Sequence, residues 1–114
     1  MIIYYNPDCS KCKQALEFLE ESNCEIEIRE YLKIPPNVQE IKDLIKLLNC
    51  RPIDIVRKGE LLFVEKFADK NINDEEWYRI LSNHPLLIER PIVIHGTKAI
   101  IGRPPQLIID FIKT

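Results

Sequence analysis

The chain opens with Ile2-Ile3-Tyr4-Tyr5, a β-branched and aromatic run that stops at Asn6-Pro7. That is the pattern of a buried strand closed by a turn. From Ser10 to about Glu21 the period becomes helical: Cys12, Ala15, Leu16 and Leu19 share one face, with Lys13, Glu17 and Glu20 off it. Residues 24–29 then alternate with period two, which predicts a half-buried strand near a sheet edge. Strand, helix and strand within about 30 residues make a βαβ unit, implying parallel pairing and a right-handed crossover.

Pro35-Pro36 breaks the chain, and Asn37-Val38-Gln39-Glu40 reads as an N-cap with its reciprocal carboxylate. The helix it opens carries Val38, Ile41, Leu44, Ile45 and Leu48 on one side and ends near Asn49. A helical turn through Ile53, Ile55 and Val56 is expected after Arg51-Pro52, ending near Gly59. Asn73-Asp74-Glu75-Glu76 caps a further helix holding Trp77, Ile80 and Leu81. Residues 33–90 are too long for one crossover helix and read as an inserted helical layer. Pro91–Ile94 and Lys98–Ile101 predict two short strands separated by His95-Gly96-Thr97, a hairpin with a glycine turn. Gly102-Arg103-Pro104-Pro105 leads into a last helix with Leu107, Ile108, Phe111 and Ile112 on its core face. The order βαβ, helices, ββα predicts an α/β fold with a four-stranded mixed sheet and helices packed on it, in one domain over residues 1–114.

Composition narrows the function. A chain of 114 residues, 46% hydrophobic and 30% charged, buries one real core without needing staples. A net charge of -2 argues against a general binder of nucleic acid or anionic membrane, both of which call for a positive field. No apolar run approaches the ~18 residues of a membrane span. The first residues lack a basic leader, so a soluble, cytoplasmic protein is expected. Of the four cysteines, Cys9 and Cys12 form a C-x-x-C, while Cys24 and Cys50 stand alone. Zinc wants a second ligand pair, and His84 and His95 are too far apart in sequence to make one. No metal and no bound cofactor are therefore expected, and redox chemistry at the pair is the better reading.

Cys9 stands between a buried strand and the helix after it, in what reads as an exposed loop. Unpaired amides and the dipole at a helix start favour an anion and lower a thiol's pKa. Cys12 lies one turn on, and its sulfur could attack an oxidised Cys9. The plain alternative for Cys12, Cys24 and Cys50 is that they are small core residues. Arg51, Arg90 and Arg103 each precede a proline, which holds the arginine extended and fixes its direction. Arg90-Pro91 opens the third strand, beside where the C-x-x-C loop of a thioredoxin-like sheet would lie, and Pro91 is a candidate for a cis peptide. Arg57 and Arg103 could reach the same mouth. Three guanidiniums would neutralise a thiolate and a dianionic oxyanion, and their planar paired donors suit oxyanions.

Several segments together carry a family resemblance: Tyr5-Asn6-Pro7-Asp8-Cys9-Ser10-Lys11, Val56-Arg57-Lys58, residues 87–93 (Leu-Ile-Glu-Arg-Pro-Ile-Val) and Ile101-Gly102-Arg103-Pro104-Pro105. The chain resembles, nearly end to end, the glutaredoxin-coupled arsenate reductases of ArsC type. The resemblance implies a thioredoxin-like fold with a helical insertion. It implies that Cys9 attacks arsenate and that Arg57, Arg90 and Arg103 bind the oxyanion and the thiol–arsenate intermediate. It also implies glutathione as co-substrate, with glutaredoxin or thioredoxin as partner. Two positions depart from the pattern: Tyr5 where such reductases often carry His, and Cys12 where they commonly have Ser. The second departure is shared with Spx-type regulators, which use a C-x-x-C switch and bind RNA polymerase, although Gly-Arg-Pro-Pro around Arg103 is not typical of them.

The leading expectation is thus reduction of arsenate or a similar oxyanion through a covalent Cys9–arsenic intermediate, resolved by glutathione or by Cys12. A redox-switched regulator bound to RNA polymerase is the alternative from another class. A general dithiol oxidoreductase, which has no need of three arginines, is a third.

Overall fold

The structure is a computed structural model, and it describes residues 1–113. Two compact units are built from the chain. One comprises residues 1–34 together with the segment from Arg90 onward, and the other is Pro35–Glu89.

The first unit is a four-stranded mixed sheet. Its strands are β1 (Ile2–Tyr4), β2 (Glu27–Arg29), β3 (Ile92–His95) and β4 (Lys98–Ile101), in the order β2-β1-β3-β4. β1 pairs with β2 in parallel and with β3 antiparallel, and β3 pairs antiparallel with β4. Ile3 sits opposite Val93 in the register, and both belong to a fully buried cluster with Ala15, Leu19 and Ile108. Ala15 and Leu19 come from α1 (Ser10–Glu21), and Ile108 from α5 (Leu107–Phe111). These are the i, i+4 positions of α1 and the inward position of α5, so the two helices pack on one sheet face. A Leu19→Ala change in such a core costs about 2–5 kcal/mol.

Three sequence readings are corrected here. The second strand begins at Glu27, not Cys24: β1 offers partners only from Ile2 to Tyr4, opposite Glu27 to Arg29. The hairpin turn is two residues, since His95 is still paired with Lys98 and Gly96 takes a positive φ of 61°. Leu107 is exposed, because Ile108 is the fully buried residue of α5 and Phe111 and Ile112 share its face at i+3 and i+4.

The second unit is helical: α2 (Val38–Leu48), α3 (Leu61–Lys66) and α4 (Asp74–Asn83), with single 3₁₀ turns at Pro52–Ile55 and Pro85–Leu87. α2 starts on a full capping box, in which the Asn37 side chain accepts from the Glu40 amide and the Glu40 carboxylate from the Asn37 amide. It ends on Asn49 in the left-handed region, φ 53°. α4 is capped by Asn73 and carries three acids in its first turn. α2 and α4 pack together, with Ile41, Leu44, Trp77 and Leu81 buried. A bridge between Val56 and Ile88 ties the segment after the first 3₁₀ turn to the segment after the second. α3 was not expected from the sequence. Among the described residues no helix is long and apolar enough to cross a membrane.

Candidate active site

The loop between β1 and α1 is fastened at both ends. The Tyr5 amide donates to the Arg29 carbonyl at 2.8 Å, and the buried Asn6 turns the chain by accepting the Asp8 amide on its side-chain oxygen. The Cys9 amide then donates to the Asn6 carbonyl at 3.0 Å. Cys9 itself is the N-cap of α1, in extended conformation. Its sulfur takes the place of the usual cap oxygen and accepts the Cys12 amide at 3.4 Å. No side chain in the first turn of α1 is acidic, so nothing there opposes negative charge on that sulfur.

Cys9 is 8% exposed, so the loop presents it as a nearly buried group rather than the open one the sequence suggested. Burial pushes its pKa up, but the Cys12 amide, the Arg90 guanidinium and the Cys12 thiol outweigh it, and the net shift is downward. Cys12 is fully buried and moves the other way. Burial, then the neighbouring Cys9, push it up to about 12, against the Asn6 amide that favours its anion. Both are free cysteines. The two shifts run in opposite directions, so Cys9 is the cysteine of the pair that ionises first.

Arg90 arrives immediately before β3, through a cis peptide to Pro91. Burial works against its charge, but the neighbouring Cys9 and Tyr31 side chains raise its pKa overall. Its Nε and Nη1 atoms are buried and have no hydrogen-bond partner. Buried guanidinium donors are seldom left unmet, and such a pair is a ready fork for an oxyanion. Arg103 follows β4, also with a cis peptide to its proline, and its Nη1 donates to the Arg90 carbonyl at 3.4 Å. Gly102 is where this segment crosses the core: a Cβ there would stand 2.6 Å from Ile108 Cδ1 and 3.3 Å from Pro91 Cγ.

Cys9, Cys12, Arg90 and Arg103 therefore sit in the sheet unit, where Cys9 and Cys12 are in direct contact and Arg90 favours the anions of both. Arg57 belongs to the helical unit, where its Nε faces Glu60 at 3.5 Å and Glu89 at 4.0 Å, and its Nη1 is buried without a partner. Tyr5, in the position of the expected His, has its pKa raised by burial and by the surrounding negative groups; it stays a neutral phenol and lends the thiolate no positive charge. Cys50 is pushed up by burial and Asp54 and is a poor nucleophile. His84 ends α4 and His95 ends β3. Among the described residues no cluster of His, Cys, Asp and Glu could hold a metal.

The sequence reading missed Tyr31. It is fully buried, stacks on Tyr4 with ring centroids 6.0 Å apart and planes 17° apart, and is one of the neighbours that raise the pKa of Arg90. Its only signal was an aromatic residue shortly after β2, in Glu30-Tyr31-Leu32-Lys33-Ile34.

With that geometry in hand, comparison with known proteins is decisive. The ArsC family model matches residues 4–111. The chain belongs to the ArsC family. It is 36% identical over 112 residues to the uncharacterized protein YfgD of Escherichia coli, covering 96% of this chain and 94% of that one. It is 38% identical over 117 residues to an arsenate reductase of Haemophilus influenzae, covering 98% of each. Among solved structures, the arsenate reductase from Vibrio cholerae superposes with a TM-score of 0.90 at 34% identity, over 96% of this chain and 94% of that one. The mixed sheet and its helices are thus the thioredoxin-like fold of ArsC proteins.

Proposed function

We propose that this ArsC-family protein is an oxidoreductase that reduces arsenate, or a closely similar oxyanion, with Cys9 as nucleophile. The observation that carries the reading is a thiolate-prone sulfur beside a guanidinium whose Nε and Nη1 are buried and unpartnered. The relatives named arsenate reductase support it.

In the first step the Cys9 sulfur attacks arsenic, a sulfur–arsenic bond forms, and one As–O bond breaks, its oxygen leaving as water with two protons. Arsenic is still As(V). In the second step a thiol attacks the Cys9 sulfur, the S–As electron pair passes to arsenic, and arsenite leaves as a disulfide forms. Two thiol sulfurs have then supplied two electrons. Arg90 orients the oxyanion and offsets the charge on its oxygens, with Arg103 placed beside it by its bond to the Arg90 carbonyl. A role for Arg57 in the same anion site rests on the family resemblance.

Glutathione, with glutaredoxin or thioredoxin regenerating it, is the proposed second thiol, and Cys12 is the intramolecular candidate. While Cys9 is a thiolate, Cys12 is held protonated; once arsenic caps Cys9, that negative neighbour is gone and Cys12 ionises more easily. The test is arsenate-dependent thiol oxidation, with glutathione and glutaredoxin supplied, by the wild type, Cys9→Ser and Cys12→Ser. Turnover is expected to vanish in the Cys9 variant, and undiminished turnover there ends the proposal. Loss in Cys12→Ser assigns the second step to Cys12, and retention assigns it to glutathione.

A further inference from the structure

We infer that the helical unit carries a binding site of its own: a cavity beside α3 that takes a small aromatic anion, a planar ring system bearing one acid group.

The cavity measures about 310 Å³ and is walled by Phe63 of α3, Phe67 directly after it and Trp77 of α4, together with Arg51, Lys58 and Lys70. Phe63 and Phe67 are one helical turn apart, which brings both rings to the same side. Each packs against Trp77: Phe63 with ring centroids 6.2 Å apart and planes 21° apart, Phe67 at 5.9 Å and 55°. Trp77 is buried, whereas Phe63 and Phe67 are only half-buried, so the wall they form keeps apolar area uncovered.

The charge around these rings is one-sided. Among the described residues no Asp or Glu lines the cavity. Arg51 is already engaged, its Nη2 donating to Asp74 at 2.9 Å. Lys58 and Lys70 are exposed and enter no ion pair among the described residues. The Lys70 ammonium stands over the Phe67 ring, 6.0 Å from its centroid. Two uncompensated cations on an aromatic wall set this place apart in a chain whose net charge is -2. A neutral apolar ligand would gain nothing from the lysines, and an inorganic anion would leave the rings uncovered. A planar body with a carboxylate, sulfonate or phosphate meets both, its ring on the aromatic wall and its acid group on the lysines. The volume is at the small end of the range for ligand pockets, so it holds one such molecule and not a length of peptide.

Trp77 is the chain's one tryptophan, so its indole N–H gives a single side-chain resonance that reports on this cavity. The test is an NMR titration of that resonance with 2-naphthoate, with 2-naphthamide as a neutral molecule of the same shape and acetate as an acid without rings. The naphthoate is expected to shift the signal saturably and to bind severalfold more tightly than either control. Lys58→Gln and Lys70→Gln are each expected to weaken naphthoate by about threefold and to leave the amide unchanged. No saturable shift, equal binding of acid and amide, or naphthoate binding that neither lysine variant weakens would overturn the inference. The readout is binding alone, so its outcome is independent of arsenate turnover at Cys9.

Discussion

The Cys12 amide donates to the Cys9 sulfur at 3.4 Å, so the first turn of α1 is closed by a sulfur where most helices use an oxygen. The same contact divides the two cysteines chemically: it favours the anion of Cys9, while the anion beside it disfavours that of Cys12.

That division sets an order of modification. Iodoacetamide at neutral pH is expected to label Cys9 well before Cys12, and peptide mass spectrometry reads the order directly. Equal labelling would contradict the assignment of the thiolate.

It also sets a pH dependence of stability. Cys12 has its folded-state pKa raised from 9.0 to about 12, so its contribution is complete below pH 9 and is lost as pH rises through that interval. Cys9 has the opposite sign: its lowered value adds stability above its ordinary pKa and gives it up as pH falls through the folded one. Chemical denaturation of wild type and Cys12→Ala at pH 8 and pH 11 is expected to show the gap between them narrowing at the higher pH.

Arg90→Lys keeps the charge and removes the planar fork. Loss of one preorganised donor at a developing oxyanion is worth roughly 100-fold, and a fall of about that size in kcat/KM for arsenate is expected, together with an upward move of the Cys9 alkylation midpoint. A lysine variant as active as wild type would show that charge alone suffices.

Glu60 and Glu89 face Arg57 Nε at 3.5 and 4.0 Å, all three side chains being largely buried. If Arg57 binds the oxyanion as the family resemblance implies, each carboxylate competes with it for that guanidinium. Glu89→Gln is expected to lower KM for arsenate severalfold with little change in kcat, measured by steady-state kinetics. An unchanged KM would separate Arg57 from anion binding.

Gly102→Ala puts a methyl group 2.6 Å from Cδ1 and 3.0 Å from Cγ1 of the fully buried Ile108, so that side chain must shift within the core. Overpacking of this kind costs about 1–3 kcal/mol, read as a Tm lower by several degrees. The same variant disturbs the neighbour of Arg103, so a loss of activity there is measured below the new Tm.

Where local chemistry dictates structure, the sequence was legible. Asn37 with Glu40 announces a capping box and makes one; Asn73 before three acids announces the start of α4; alternation and a glycine turn announce the hairpin. α3 was illegible because Leu61-Leu62-Phe63-Val64 is a continuous apolar run with no helical period, and Glu60 makes no side-chain cap. Two of its apolar residues, Leu61 and Val64, are exposed, so no buried stripe could have marked it. In the site, Cys9 and the arginines were legible as a motif. The burial of Cys9 was not, since it depends on Arg90 and other groups brought in from far along the chain. Tyr31 was missed for the same reason: it stacks on Tyr4, far back in the chain, and nothing within its own stretch of sequence hints at that.

β1 pairs with β3 across almost the whole length of the chain, and Arg90 immediately precedes β3. A growing polypeptide on the ribosome therefore exposes the Cys9 loop long before the guanidinium that tunes it has been synthesised. Until the last hairpin docks, that cysteine has at most the Cys12 amide to favour its anion and lacks the guanidinium that completes the shift.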